Sequence, residues 1–117
     1  VHVDDFLRTG NRRIYAAGMS KHIVVFSKIG KNRVLGKPPQ EQPLWREHAD
    51  FMNALYDNGA IFLAGPWVDG SGAMVIVNAD DIESAVEMFR DDPWALNDIQ
   101  STDSAQEWDI LMDIREP

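Results

Sequence analysis

The sequence predicts an α+β domain whose elements follow one another as βαββαβ. Three observations carry this reading. Runs at 22–27, 60–64 and 73–77 are β-branched or aliphatic and short enough for strands. Two longer stretches, at 44–57 and 82–92, repeat apolar residues at helical spacing. With an alternating run at 108–114 as the last strand, the order closes as the split βαβ, or ferredoxin-like, arrangement. That is a four-stranded antiparallel sheet with two helices on one face.

Each element has its own justification. His22-Ile23-Val24-Val25-Phe26-Ser27 is apolar on both parities, so both faces of that strand should be covered. Lys28 to Pro43 holds Gly30, Gly36, Pro38, Pro39 and Pro43 and reads as a long loop, a place where small domains often keep function. Its Lys28, Lys31, Arg33 and Lys37 form a basic cluster, either solvated or able to steer an anionic substrate. The first helix runs from about Leu44 to Asp57, with Trp45, Ala49, Met52, Leu55 and Tyr56 as its apolar stripe and His48 on or beside it. Asn58-Gly59 ends it, Gly59 suiting a left-handed cap. Ala60 to Ala64 is the second strand, stopped by Gly65-Pro66. Trp67 to Gly72, with Asp69, Gly70 and Gly72, is a hairpin connection. Ala73 to Val77 is the third strand.

Asp80 or Asp81 caps the second helix, Glu83 lying at capping-box spacing from Asp80. Ile82, Ala85, Val86 and Phe89 form its seam. Asp92-Pro93 ends it, because proline disfavours helical geometry in the residue before it. Ala95 to Gln106 is a polar link. In the last strand Trp108, Ile110, Met112 and Ile114 share one face.

Composition narrows the function. The chain has 117 residues, no cysteine and a formal charge of −8 without acidic runs. One domain is the expectation, with neither disulfides nor thiolate metal sites. Residues 1–18 lack an apolar period and precede Met19-Ser20-Lys21, which reads like a natural start. They are expected to be an N-terminal extension or a leader left by cloning, and 19–117 the domain. A presequence is the alternative, weakened by Asp4 and Asp5. The acidic balance argues against nucleic acid and anionic membranes as partners. No run approaches the ~20 apolar residues that span a bilayer. A cytoplasmic location is expected. No dinucleotide, phosphate-loop or serine-hydrolase motif is present, and no cofactor or metal is expected.

Chain direction identifies the site. If the first strand runs upward, the top collects Ser27 and Lys28, the start of the first helix with Trp45 and His48, Gly65-Pro66, and the end of the second helix with Asp92 and Trp94. His48 and Asp92 thus meet although far apart in sequence. An imidazole with a carboxylate partner has a fixed tautomer and suits general acid–base work. Asp91 is a competing partner. Gly65 and Pro66 would wall the pocket, with Trp45 and Trp94 beside it. Asp69 is a further substrate-binding candidate, though its turn position gives it a simpler role. Because the strands are apolar on both faces and the helices cover one, a second copy of the chain is expected on the open face.

Glu47-His48 before an apolar helix, Asn58-Gly59, Ala64-Gly65-Pro66 with Asp69 and Gly70, Ser84-Ala85 and Asp91-Asp92-Pro93-Trp94 together resemble the YciI family (YCII-related domain) of the dimeric α/β barrel superfamily. The resemblance covers roughly 21–114. It implies a ferredoxin-like homodimer, a dimeric α/β barrel, with a pocket holding a His–Asp pair, here His48 and Asp92. For one kind of member it implies dehydrochlorination of a chlorinated hydroxyquinol. The long polar link at 95–106 and the basic loop depart from the family pattern. The expected function is an acid–base enzyme, a lyase or isomerase, acting on a small aromatic or enolisable molecule. The alternative is a dimeric ligand-binding or accessory domain without catalysis.

Overall fold

The computed structural model describes residues 21–115; the extension read at 1–18 lies outside the described residues. Strand β1 (Lys21–Ile29) leads into a long loop with a 3-10 turn at Pro39–Glu41, then helix α1 (Trp45–Asp57). Strands β2 (Ile61–Pro66) and β3 (Gly72–Ala79) form a hairpin. Short helices α2 (Ile82–Glu87) and α3 (Pro93–Leu96) precede strand β4 (Gln100–Glu107). The sheet order is β2-β3-β1-β4, with every neighbouring pair antiparallel. This is the α+β ferredoxin-like arrangement.

The core lies between the sheet and the helices. Ile23 and Val25 of β1, Val75 and Val77 of β3 and Ile61 of β2 meet Ala85 and Phe89 from the α2 segment and Phe51, Met52 and Leu55 of α1. Phe51 belongs to the α1 stripe, whereas Tyr56 is exposed. Asp81 caps α2 by accepting a hydrogen bond from the Ser84 N–H at 2.7 Å. Of the expected seam, Ala85 and Phe89 are buried, while Ile82 and Val86 face water.

Three expectations are corrected. The last strand is Gln100–Glu107, not Trp108–Ile114. β4 is an edge strand held by its backbone ladder to β1, and only its Ala105 packs against the core, so it needs little apolar character. The supposed link at 95–106 is therefore mostly α3 and β4. Second, Gly65-Pro66 does not stop β2 but completes it, pairing with Met74 and Ala73. A proline fits there because β2 is the opposite edge of the sheet, where one side of the strand needs no donor. Third, Asp92-Pro93 does not end the second helix, which closes at Glu87; Asp92 instead caps a separate helix whose first turn holds Pro93. On the sheet face away from the helices, Val24 and Ile76 are 6% and 1% exposed in the single chain. Leu63, which pairs with Ile76 on that face, remains exposed. The segment after β4 turns back across the sheet: the Trp108 N–H donates to the His22 carbonyl, and the Arg115 guanidinium sits 4.7 Å from the Phe62 ring centroid on the far edge.

Candidate functional site

One end of the sheet, where β1, β2 and α3 finish and α1 and β4 begin, encloses a cavity of about 340 Å³. Val25, Ala73 and Val75 form its floor. Ala64, Gly65 and Pro66 form one side, and Trp45, His48, Met52 and Phe89 the helix wall. Pro39 and Gln40 of the long loop close over it, and Gln100, Ser101 and Thr102 line it from β4. The lining is largely apolar, with a few polar groups set into it, as in small-molecule sites.

Local sequence explains how His48 is presented. Leu44 adopts a left-handed conformation (φ 60°) just before α1, so the chain turns sharply into the helix. Pro43, next to that bend, is tied down because its carbonyl accepts the Trp94 Nε1–H at 2.8 Å. His48 lies in the first turn of α1, its N–H bonded to the Leu44 carbonyl.

Asp92 is held equally firmly. Pro93 keeps it extended (φ −58°, ψ 128°), and its Oδ1 accepts the Trp94 backbone N–H at 3.0 Å, capping α3. The same carboxylate has both oxygens 2.9 Å from His48 Nδ1. The two side chains are 13% and 8% exposed. The imidazole stacks flat on Trp94, with ring centroids 3.7 Å apart and an interplanar angle of 4°. Trp45 leans against both rings at 5.9 Å. A carboxylate accepts hydrogen bonds, so Nδ1 carries a hydrogen, and in the neutral ring Nε2 keeps its lone pair. Nε2 has no hydrogen-bond partner among the described residues, yet no fully buried side-chain nitrogen or oxygen among them lacks one. Nε2 therefore keeps open space beside it, and His48 lines the cavity. An imidazole anchored at one nitrogen and open at the other can accept and return a proton without leaving its place.

The expected site residues divide clearly. His48, Asp92, Trp45, Trp94, Gly65 and Pro66 all line the cavity. Asp91 does not; it is exposed and lies 3.5 Å from Arg90. Asp69 is not among the residues that line the cavity. It sits in the β2–β3 turn, where its carboxylate accepts from both Ser71 N–H and Ser71 Oγ–H, and these bonds hold it below the usual carboxylate range. Among the described residues no three His, Asp or Glu side chains converge to hold a metal ion.

The polar side of the cavity had little sequence signal. Arg33 of the basic loop is 9% exposed, and its NH1 donates to Gln100 Oε1 at 2.7 Å. Gln100 Nε2 in turn donates to Ser27 Oγ at 2.9 Å. Burial pushes the Arg33 guanidinium down from its ordinary value. Lys28 and Lys37 instead pair at the surface with Asp103 and Glu41. Gln100 falls in a stretch that reads as a link, and Ser27 reads as no more than the end of a strand. A long loop returning a lone arginine toward a serine at a strand end was the one available clue.

A family model described as the YCII-related domain matches residues 22–108. No curated protein matches the chain, and no solved structure does.

Proposed function

We propose that this chain, which belongs to the YCII-related family, is a small-molecule enzyme whose His48 exchanges a proton with its substrate while Asp92 orients the ring. The observation that carries the reading is His48 itself, with Nδ1 held 2.9 Å from both oxygens of Asp92 and Nε2 free at an apolar cavity. A single base without a second nucleophile suits removal of a proton next to an electron-withdrawing group. Elimination or isomerisation then follows. Trp45 and Trp94 favour a flat substrate body, and the cavity's size restricts it to a small molecule. Gly65 and Pro66 are the substrate's neighbours on the β2 side.

The test is proton exchange itself. Small enolisable ketones and hydroxylated aromatics are incubated with the protein in D₂O, and loss of their acidic C–H signals is followed by NMR. The wild type should speed exchange of at least one, and His48→Ala should remove the acceleration. Equal rates for wild type and variant would leave a ligand-binding domain as the better account.

A homodimer through the open sheet face belongs to the same reading, as does a cytoplasmic location. Exposed Leu63 and Trp67 border a shallow hollow with Met74 on that side of β2, and a second copy would cover them. Light scattering at micromolar concentration should give twice the chain mass; a monomer would remove the dimer from the reading.

A further inference from the structure

We infer that Ser27 is an oxygen-recognising donor of the same cavity, set by Gln100 and Arg33, and that the substrate class is a small C–H acid bearing a carbonyl or phenol oxygen. This rests on the acid–base reading of His48.

The direction of the hydrogen-bond chain is forced by chemistry. A guanidinium has donors and no acceptor, so the Gln100 atom facing Arg33 is the oxygen. The amide nitrogen of Gln100 must then face Ser27, and it donates to Oγ. With Oγ already accepting, the hydroxyl hydrogen is left to donate. The one protein acceptor within reach among the described residues is the Ala73 carbonyl at 3.5 Å, well beyond the usual O–H···O distance of about 2.7 Å. Ser27 therefore offers a hydrogen with no good protein partner, and it lines the cavity.

The cavity is thus polarised. From the helix wall it offers an acceptor, His48 Nε2. From the sheet it offers a donor, Ser27 Oγ–H. Behind that donor stands a buried cation, Arg33, for which no carboxylate partner occurs among the described residues. Its guanidinium carbon is 5.5 Å from the Trp94 ring centroid, so the positive charge lies against the wall that also carries the imidazole. A molecule fitting both poles has an acidic hydrogen at one end and an oxygen acceptor at the other. As His48 Nε2 takes the proton from carbon, the C–H electron pair moves into the carbon framework and the carbonyl π pair onto oxygen. The resulting enolate oxygen accepts the Ser27 hydrogen bond under the field of Arg33, which strengthens as the charge develops. Arg33 touches no substrate atom in this scheme and is a positioning residue.

The experiment compares two flat nitroarenes that differ by one phenolate oxygen, 4-nitrophenolate and nitrobenzene. Their affinities are read at pH 8 from quenching of tryptophan fluorescence. Wild type should prefer the phenolate by about tenfold or more, the range of a hydrogen bond to a charged oxygen. Ser27→Ala should erase most of that preference while leaving nitrobenzene affinity unchanged. Arg33→Met should reduce the preference ratio; a merely structural role would weaken both probes alike and leave the ratio intact. His48→Ala should keep it. If the preference survives Ser27→Ala but disappears in His48→Ala, the oxygen is held by the histidine, and Ser27 loses its role while His48 remains a proton-exchanging group. Absence of any phenolate preference in the wild type, including no binding of either probe at millimolar concentration, overturns the inference. Failure of the deuterium-exchange test alone, with the probe ratios as expected, would remove the base and leave the oxygen site.

Discussion

Replacing Asp92 separates two roles that one carboxylate holds together. In Asp92→Ala the α3 cap is lost, because Oδ1 no longer accepts the Trp94 N–H; caps of this kind contribute about 1 kcal/mol. The His48 ring, only 13% exposed and stacked on Trp94, also loses the partner of its Nδ1. Changing tautomer does not help, since a buried ring nitrogen stays unpaired either as donor or as acceptor, at about 1–3 kcal/mol. The sum is about 2–4 kcal/mol for Asp92→Ala. Asp92→Asn retains an oxygen for both donors and replaces only the second, so its cost should stay near 1 kcal/mol. Urea denaturation followed by tryptophan fluorescence measures both, and Trp94 lies at the perturbed spot. Proton exchange should fall strongly in both variants, because neither holds the imidazole with a carboxylate. If the two variants were equally stable, or Asp92→Ala cost less than about 1 kcal/mol, the shared-carboxylate account would be wrong.

Three further predictions follow from other parts of the molecule. Gly30→Ala places a Cβ against the main-chain carbonyl of Asp98, where the loop runs beside the turn into β4, and should destabilise by more than about 2 kcal/mol in thermal unfolding; a neutral effect would mean that this turn can shift freely. Gln42, 4% exposed, accepts from the Val34 N–H and donates to the Val34 and Lys37 carbonyls; Gln42→Ala should cost about 1–3 kcal/mol and speed hydrogen exchange at the Val34 amide, whereas unchanged exchange there would refute its role as the loop's anchor. Asp81 is held below the usual carboxylate range chiefly by the Ser84 backbone N–H, then by the Ser84 side chain. A carboxylate depressed in the folded state stabilises above its unfolded value and loses that contribution as pH falls through the folded one, so the advantage of wild type over Asp81→Asn should shrink below about pH 4; an advantage that grows on acidification would contradict this.

The parts of the fold legible in the sequence are those that bury apolar side chains at a fixed period. Helix α1 and strand β3 are of this kind, and chain direction alone brings His48 and Asp92 to one end. Strand β4 could not be found in this way, because an edge strand needs backbone hydrogen bonds more than apolar side chains. Its composition, Gln-Ser-Thr-Asp-Ser-Ala-Gln-Glu, reads as linker. The alternation after it, from Trp108 to Ile114, mimics a strand, yet Met112 and Ile114 are exposed. In the sequence Pro93 reads as a stop, yet it is also a start, since proline is favoured in the first turn of a helix. Arg33 was hidden for another reason. A cation in a glycine- and proline-rich loop normally faces water, and only its bond to Gln100, 67 residues later, shows that this one does not.

The two bonds that fasten α1 to α3, from Trp94 to Pro43 and from His48 to Asp92, link residues 51 and 44 positions apart. A growing or partly opened chain can therefore have a complete first helix and still leave His48 without its carboxylate partner. Detaching a four-residue helix, a far smaller event than melting the sheet, is enough to release the His48 ring from Asp92. If His48 exchanges a proton as proposed, loss of that exchange on warming should accordingly precede loss of sheet structure, because the small clasp opens first.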